Sequence, residues 1–153
     1  MRIINDLRKR VKEFDEGLKS GLFISEIILE NEAFIVNMNS ELQLYDQGVN
    51  ALGVSISDYK PYAEYTIEIK KAKNQPYDRV TLHDDGDFAG SFFLQVGTEN
   101  FEIKAGDFKT VDLMKKYGRQ ILGLTNENLT QLIWQYIYPD LKTTTRKYIY
   151  GKS

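Results

Sequence analysis

Apolar residues at Ile3, Leu7, Val11, Phe14 and Leu18 step by 4, 4, 3 and 4 along the first twenty positions. That spacing is one stripe of a helix of period 3.6, with charged residues on the other face. Gly17 and Gly21 bracket the expected exit. A second helix is predicted from about Ser25 to Tyr45, where Ile24, Ile28, Asn31, Ile35, Met38, Leu42 and Tyr45 form a heptad seam with one polar member. An asparagine in such a seam sets register or partner number if it is buried between helices. The plainer account is an asparagine facing solvent or bonded locally. Two amphipathic helices joined by a few residues read as an N-terminal helical hairpin that projects as an arm.

From Gln47 to Lys60 the pattern lapses, with Gly48, Gly53 and several Ser and Asp residues ahead of Pro61. This is the best place for a boundary between an arm, residues 1–58, and a core domain, residues 59–153. Tyr62 to Lys71 fits a strand by its alternation of Tyr65, Ile67 and Ile69, and a helix by Tyr62, Tyr65 and Ile69 on one face. Pro61 in a first turn, with acidic residues early and lysines late, favours the helix. Three strand-like runs follow: Arg79–Leu82, Phe88–Val96 and Phe101–Ala105, with turns at Asp85-Gly86 and at Gly97–Asn100. Thr110 or Asp107 is placed to cap a short helix carrying Leu113, Met114 and Tyr117 inward, with Gly118 as its stop. Thr125 caps a closing helix through Leu129, Leu132, Ile133, Tyr136 and Ile137. Pro139 should kink or break it, and Leu141 and Tyr148 suggest that it resumes. The class is therefore α+β: a small antiparallel β-meander packed by helices, with the helical hairpin as an N-terminal arm.

Composition narrows the function more than it names it. The 153 residues are 42% hydrophobic and 12% aromatic, enough for a packed core. A net charge of −2 gives no global pull toward nucleic acid or acidic membranes. With no cysteine there is no disulfide, thiolate nucleophile or thiolate metal site, which suits assembly in a reducing cytoplasm. The first ten residues mix charge with apolar positions and do not read as a secretory signal, and no run is long and apolar enough to span a bilayer.

Candidate chemistry is sparse. His83-Asp84-Asp85-Gly86-Asp87 offers oxygen ligands around a glycine but lacks the spacing and the downstream glutamate of a calcium loop, so a surface turn is the simpler account. Glu68-Ile69-Lys70 has the E-x-K spacing of magnesium nucleases, without a well-placed upstream aspartate. One histidine leaves few routes to a triad or a zinc site, and no phosphate-cradling glycine motif occurs. Arg8-Lys9-Arg10 and Lys70-Lys71-Ala72-Lys73 are basic clusters that more often form solvated helix faces than nucleic-acid contacts. Ten tyrosines, four of them near the C-terminus beside Trp134, suit core and subunit contact. No metal, cofactor or catalytic residue is expected.

Two runs carry the most specific signal: Leu82 through Phe92, with Asp85, Gly86, Phe88 and Ser91, and Tyr117-Gly118-Arg119-Gln120-Ile121-Leu122-Gly123-Leu124-Thr125. In order and separation they resemble the two signatures of small bacteriophage virion-morphogenesis proteins, the tail-completion or head–tail-joining class. In that family a lysine-bearing helix precedes an L-x-x-T-G-x-L/F-x-x-S run, then a β-hairpin, a Y-G or F-G element, R-P-F-L-G-L-S and a closing helix. The likeness spans Tyr59 to Tyr148, with Asp85 in place of the family's threonine and Gln120 in place of its proline. It implies a non-enzymatic neck or tail-terminus component of the virion, assembled in the host cytoplasm. Its partners would be copies of itself in a ring and phage tail-tube and neck proteins, with neither membrane nor nucleic acid. Leu82, Asp85, Gly86, Phe88, Ser91, Tyr117, Gly118, Arg119, Leu122, Gly123 and Leu124 would be the contact motif. The alternative is a helical module that dimerises through Ile28, Asn31, Ile35, Met38 and Leu42; an enzyme comes third.

Overall fold

A computed structural model describes residues 1–151. The fold is α+β, with an N-terminal helical hairpin. Helix α1 (Arg2–Lys19) ends where Gly21 turns the chain in a left-handed conformation (φ 73°) into α2 (Leu22–Glu30). A β-carbon on Gly21 would lie 2.2 Å from the Thr98 carbonyl oxygen of the β-hairpin. Gly21→Ala is therefore expected to cost at least the ~1–2 kcal/mol of a left-handed alanine. A urea titration checks this, with an unchanged midpoint as the adverse result.

The second limb of the hairpin is not one uniform helix. It is interrupted at Asn31, restarts as α3 (Glu32–Asn37) and widens into a π-helical segment, Met38–Gln47. Asn31 Nδ2 donates to the Ile27 carbonyl (2.9 Å) and to Asp140 Oδ2 of the closing helix (3.0 Å), so it is bonded inside the chain. The seam residues also turn inward. Ile35 and Met38 are buried in the core, and Ile28 and Leu42 pack against it. Only the first limb stands apart, and it is held by an aromatic trio of Phe14, Phe23 and Tyr148 whose ring centres lie 4.9–5.9 Å apart.

The stretch read as a boundary is a packed loop. Fully buried Asn50 accepts amides from Leu52 (2.9 Å) and Val54 (3.1 Å) and donates to the Tyr59 hydroxyl (3.2 Å), while Ile56 enters the core. Core residues thus come from both sides of position 58, with Ile35 and Leu44 meeting Ile56, Val80, Phe92, Ile103, Ile121 and Leu132 in one cluster. Tyr62–Lys71 resolves as helix α4 (Glu64–Ala72), and Pro61 lies just upstream of its first turn.

The expected three-stranded meander is a two-stranded hairpin, β1 (Phe92–Val96) antiparallel to β2 (Phe101–Ala105), with Leu94 opposite Ile103. Arg79–Leu82 does not join it, because side chains take its backbone donors. The Val80 amide goes to Ser57 Oγ and the Thr81 amide to the Tyr62 hydroxyl, both at 3.0 Å, and Leu82 then turns left-handed (φ 56°). Asp85-Gly86 is likewise no hairpin turn. Asp85 Oδ1 accepts the Asp87 amide (3.2 Å) and the chain enters a single helical turn, α5 (Asp87–Gly90), which buries Phe88 edge-on to Phe92.

Helix α6 (Thr110–Tyr117) stops at Gly118, and Thr125 Oγ1 accepts the Asn128 amide (3.2 Å) to open α7 (Asn126–Leu132). The disturbance expected at Pro139 takes the form of a π turn over Ile133–Ile137, after which α8 (Tyr138–Tyr150) continues with the proline in its first turn. The helical run is continuous there, and the wider π turn just before Pro139 lies where the proline has no amide to donate. Among the described residues no helix is long and apolar enough to cross a membrane.

Candidate assembly surface

The two signature runs meet through the core and not on one surface. Phe88, Phe92, Tyr117 and Ile121 are buried in the same cluster. Leu82 packs half-buried against it, and Ser91 Oγ donates to the Phe88 carbonyl (2.8 Å). Asp84 and Asp85 instead sit at the surface, facing Lys73 (2.5 Å) and Lys109 (3.7 Å). Hydrogen bonding from the Lys73 ammonium holds the Asp84 carboxyl below its ordinary value, against partial desolvation. The Asp87 backbone N–H does the same for Asp85.

A carboxyl lowered in the folded state contributes stability above its unfolded pKa of about 3.9, and loses it as pH falls through the folded value. Exposure keeps the contribution small. The melting temperature of Asp84→Asn should fall slightly below that of the parent at about pH 6, and the gap should close at about pH 2. A gap that persists in acid would contradict the pairing.

Neither enzymatic motif is assembled. Glu68 and Lys70 lie two residues apart on α4 and so face different sides of the helix. Glu68 is exposed, whereas Lys70 is buried and donates to Gln75 Oε1 (3.0 Å) and to the His83 carbonyl. His83 stands edge-on to Tyr45, with its Nδ1 buried and unpartnered. Among the described residues no three His, Asp or Glu side chains converge as a metal-binding group.

The second run does shape a surface. Its loop is gripped by two fully buried amide side chains of the π-helical segment, four residues apart and so on one side of it. Asn39 donates to the Ile121 carbonyl (3.2 Å) and accepts the Gly123 amide (3.0 Å). Gln43 donates to the Gly123 carbonyl (2.8 Å) and accepts both the Thr125 amide (2.9 Å) and Asn128 Nδ2 (3.1 Å). The two amides thus serve the loop as a neighbouring strand would. The Gln120 carbonyl adds a bond to the Ala51 amide (2.8 Å).

So fixed, Arg119, Leu122, Gly123 and Leu124 wall a groove of about 880 Å³, together with Ile28, Met114 and Leu129. The remaining wall is the edge of β2. Backbone bonds at Gly97–Asn100 and Ser91–Gly106 set the ladder's phase, so the backbone groups of Phe101, Ile103 and Ala105 point away from β1. Thr110 Oγ1 reaches the Ala105 carbonyl at 3.5 Å, and the other outward groups have no partner among the described residues. The opposite edge is closed: Glu32 Oε1 takes the Leu94 amide (2.9 Å), and α2 and α3 pack along β1. One sheet edge is guarded by a carboxylate; the other opens into an apolar cleft.

Sequence reasoning missed Asn39, Gln43, Asn128 and Glu32. Asn39 and Gln43 flank the seam residues Met38 and Leu42, and their spacing of four was the one available signal. Compared with known proteins, the chain matches no family model, no curated protein and no solved structure.

Proposed function

We propose that this protein is a non-enzymatic structural component of the neck or tail terminus of a phage or prophage virion. It works by fitting copies of itself, and tail-tube or neck proteins, edge to edge. The observation that carries the reading is the open β2 edge in a groove walled by Arg119, Leu122, Gly123 and Leu124. Unpaired strand edges are templates for another chain and are normally blunted, as Glu32 blunts β1. An extended segment added to β2 would gain main-chain hydrogen bonds and place alternate side chains against the groove's aliphatic wall. Contacts of this head-to-tail kind form a ring when the rotation between copies closes. The resemblance of the two runs to virion-morphogenesis proteins supplies the setting: the virion, built in the host cytoplasm.

Ala105→Pro tests the docking directly. It removes an outward amide and no ladder bond, so the hairpin should persist while incorporation into virions falls. Leu124→Lys should do the same by charging the wall. Deleting the gene should leave heads and tails that do not join, and the gene should lie among portal, capsid or tail-tube genes. Normal virions from the deletion, or isolation from any such gene, would sink the proposal.

A further inference from the structure

We infer that α1 is a self-association surface, pairing antiparallel with α1 of a second copy about a two-fold axis near Val11. This goes beyond the virion reading and does not rest on it. Helix α1 packs against the body through Phe14 and Gly17, and its inner stripe is used there. The flank of that stripe is left in solvent: Ile4, Val11 and Leu18 recur every seven residues and are 54%, 47% and 43% exposed, with Leu7 at 44%. None of α1 is buried. An aliphatic line of this kind, repeated over the length of an 18-residue helix, is a helix-pairing face rather than scattered surface apolarity.

Charge along the helix selects the occupant and the direction. Residues 2–10 form a basic part, with Arg2, Arg8, Lys9 and Arg10 against Asp6, and residues 12–19 an acidic part, with Glu13, Asp15 and Glu16 against Lys12 and Lys19. A second copy laid antiparallel sets the basic part over the acidic part twice; a parallel copy sets like over like. Lys9, Arg10, Lys12 and Lys19 each already have a carboxylate within the helix, at Glu13, Asp6, Glu16 and Asp15. Arg8 has none among the described residues. With Val11 against Val11, Ile4 meets Leu18 and Arg8 meets Asp15 of the second copy, once on each side of the axis. An anionic lipid surface fits less well, since it would attract residues 8–12 and repel the acidic turn that follows.

The interface is one helix long, so the dimer belongs to the small, weak class and appears at high concentration. Sedimentation equilibrium of the full chain should show a concentration-dependent dimer that Val11→Glu abolishes. Arg8→Asp and Asp15→Arg should each weaken it about tenfold, and the double exchange should restore it. All three sites are exposed, so folding should be unchanged by circular dichroism. Because the chain lacks cysteine, direction can be read from introduced thiols. Ile4→Cys mixed with Leu18→Cys should oxidise to the mixed disulfide. Rapid disulfide formation by Ile4→Cys alone would mean parallel pairing and overturn the inference. A monomer at all concentrations would overturn it too, as would binding to phosphatidylserine vesicles without dimerisation.

Discussion

Gln43→Leu is expected to destabilise the protein by about 3–6 kcal/mol, the largest effect of any polar substitution in the chain. The side chain is fully buried and its carboxamide serves three groups: the Gly123 carbonyl, the Thr125 amide and Asn128 Nδ2. Leucine fills most of the volume and leaves all three without partner or water. Each stranded group costs about 1–3 kcal/mol, against a total stability of about 5–15 kcal/mol for a domain of this size. The melting temperature should fall by roughly 10–20 °C. Gln135→Leu is the control, since that amide is exposed on the π turn and its loss should shift stability by less than about 0.5 kcal/mol. The consequence for function follows from position. Gln43 and Asn39 hold the loop that carries Leu122 and Leu124, so releasing it dissolves one wall of the groove before the fold is lost. A thermal melt in which Gln43→Leu resembles Gln135→Leu would contradict this description of the loop.

Ile35→Asp should leave the chain unfolded at 25 °C. Ile35 is fully buried among core residues, so the change removes a packed aliphatic side chain and puts an unpaired carboxylate in its place. The lost packing alone costs about 2–5 kcal/mol, and an isolated buried charge adds several more. If the seam served an exposed dimer, the same variant would give a folded monomer. Circular dichroism separates the outcomes, with native helical signal as the adverse result. Ile35→Val, expected to cost about 0.5–1.5 kcal/mol, shows that the effect is specific to charge and cavity.

These two residues mark what was legible in the sequence. The seam through Ile35, Met38 and Leu42 is visible as periodicity, but periodicity does not say whether the apolar face meets a second chain or the chain's own core. Here β1 and the chain's own core cover it, and Asn31 is tied to Asp140 of α8, 109 residues away. The capping residues were legible because their chemistry is local: Gly21, Gly118 and Thr125 each act within a few residues. Arg79–Leu82 looked like a strand because it is β-branched and apolar, yet Ser57 and Tyr62 supply its acceptors in place of a partner strand. Only tertiary structure places those side chains there. The second signature run was legible as a turn, while the amides that make it rigid lie about 80 residues upstream, on a helix whose pattern advertises its apolar face. Glu32 reads as an ordinary first-turn acidic residue, and its role at Leu94 appears only once α3 lies along β1.

The two signature runs thus have different standing. Leu82 to Phe92 builds core and aims the hairpin; Arg119 to Leu124 presents a surface beside an open strand. Amide hydrogen exchange at β2, with and without tail tubes of the phage or prophage proposed to encode the protein, tests the central claim most directly. In the free protein Phe101, Ile103 and Ala105 should exchange fast while Glu102 and Lys104, bonded to β1, exchange slowly. On assembly the account predicts strong protection of those three amides, while the Gly123 and Thr125 amides, already bonded to Asn39 and Gln43, exchange slowly in both states. Unchanged exchange at Phe101, Ile103 and Ala105 in a demonstrably assembled sample would contradict it.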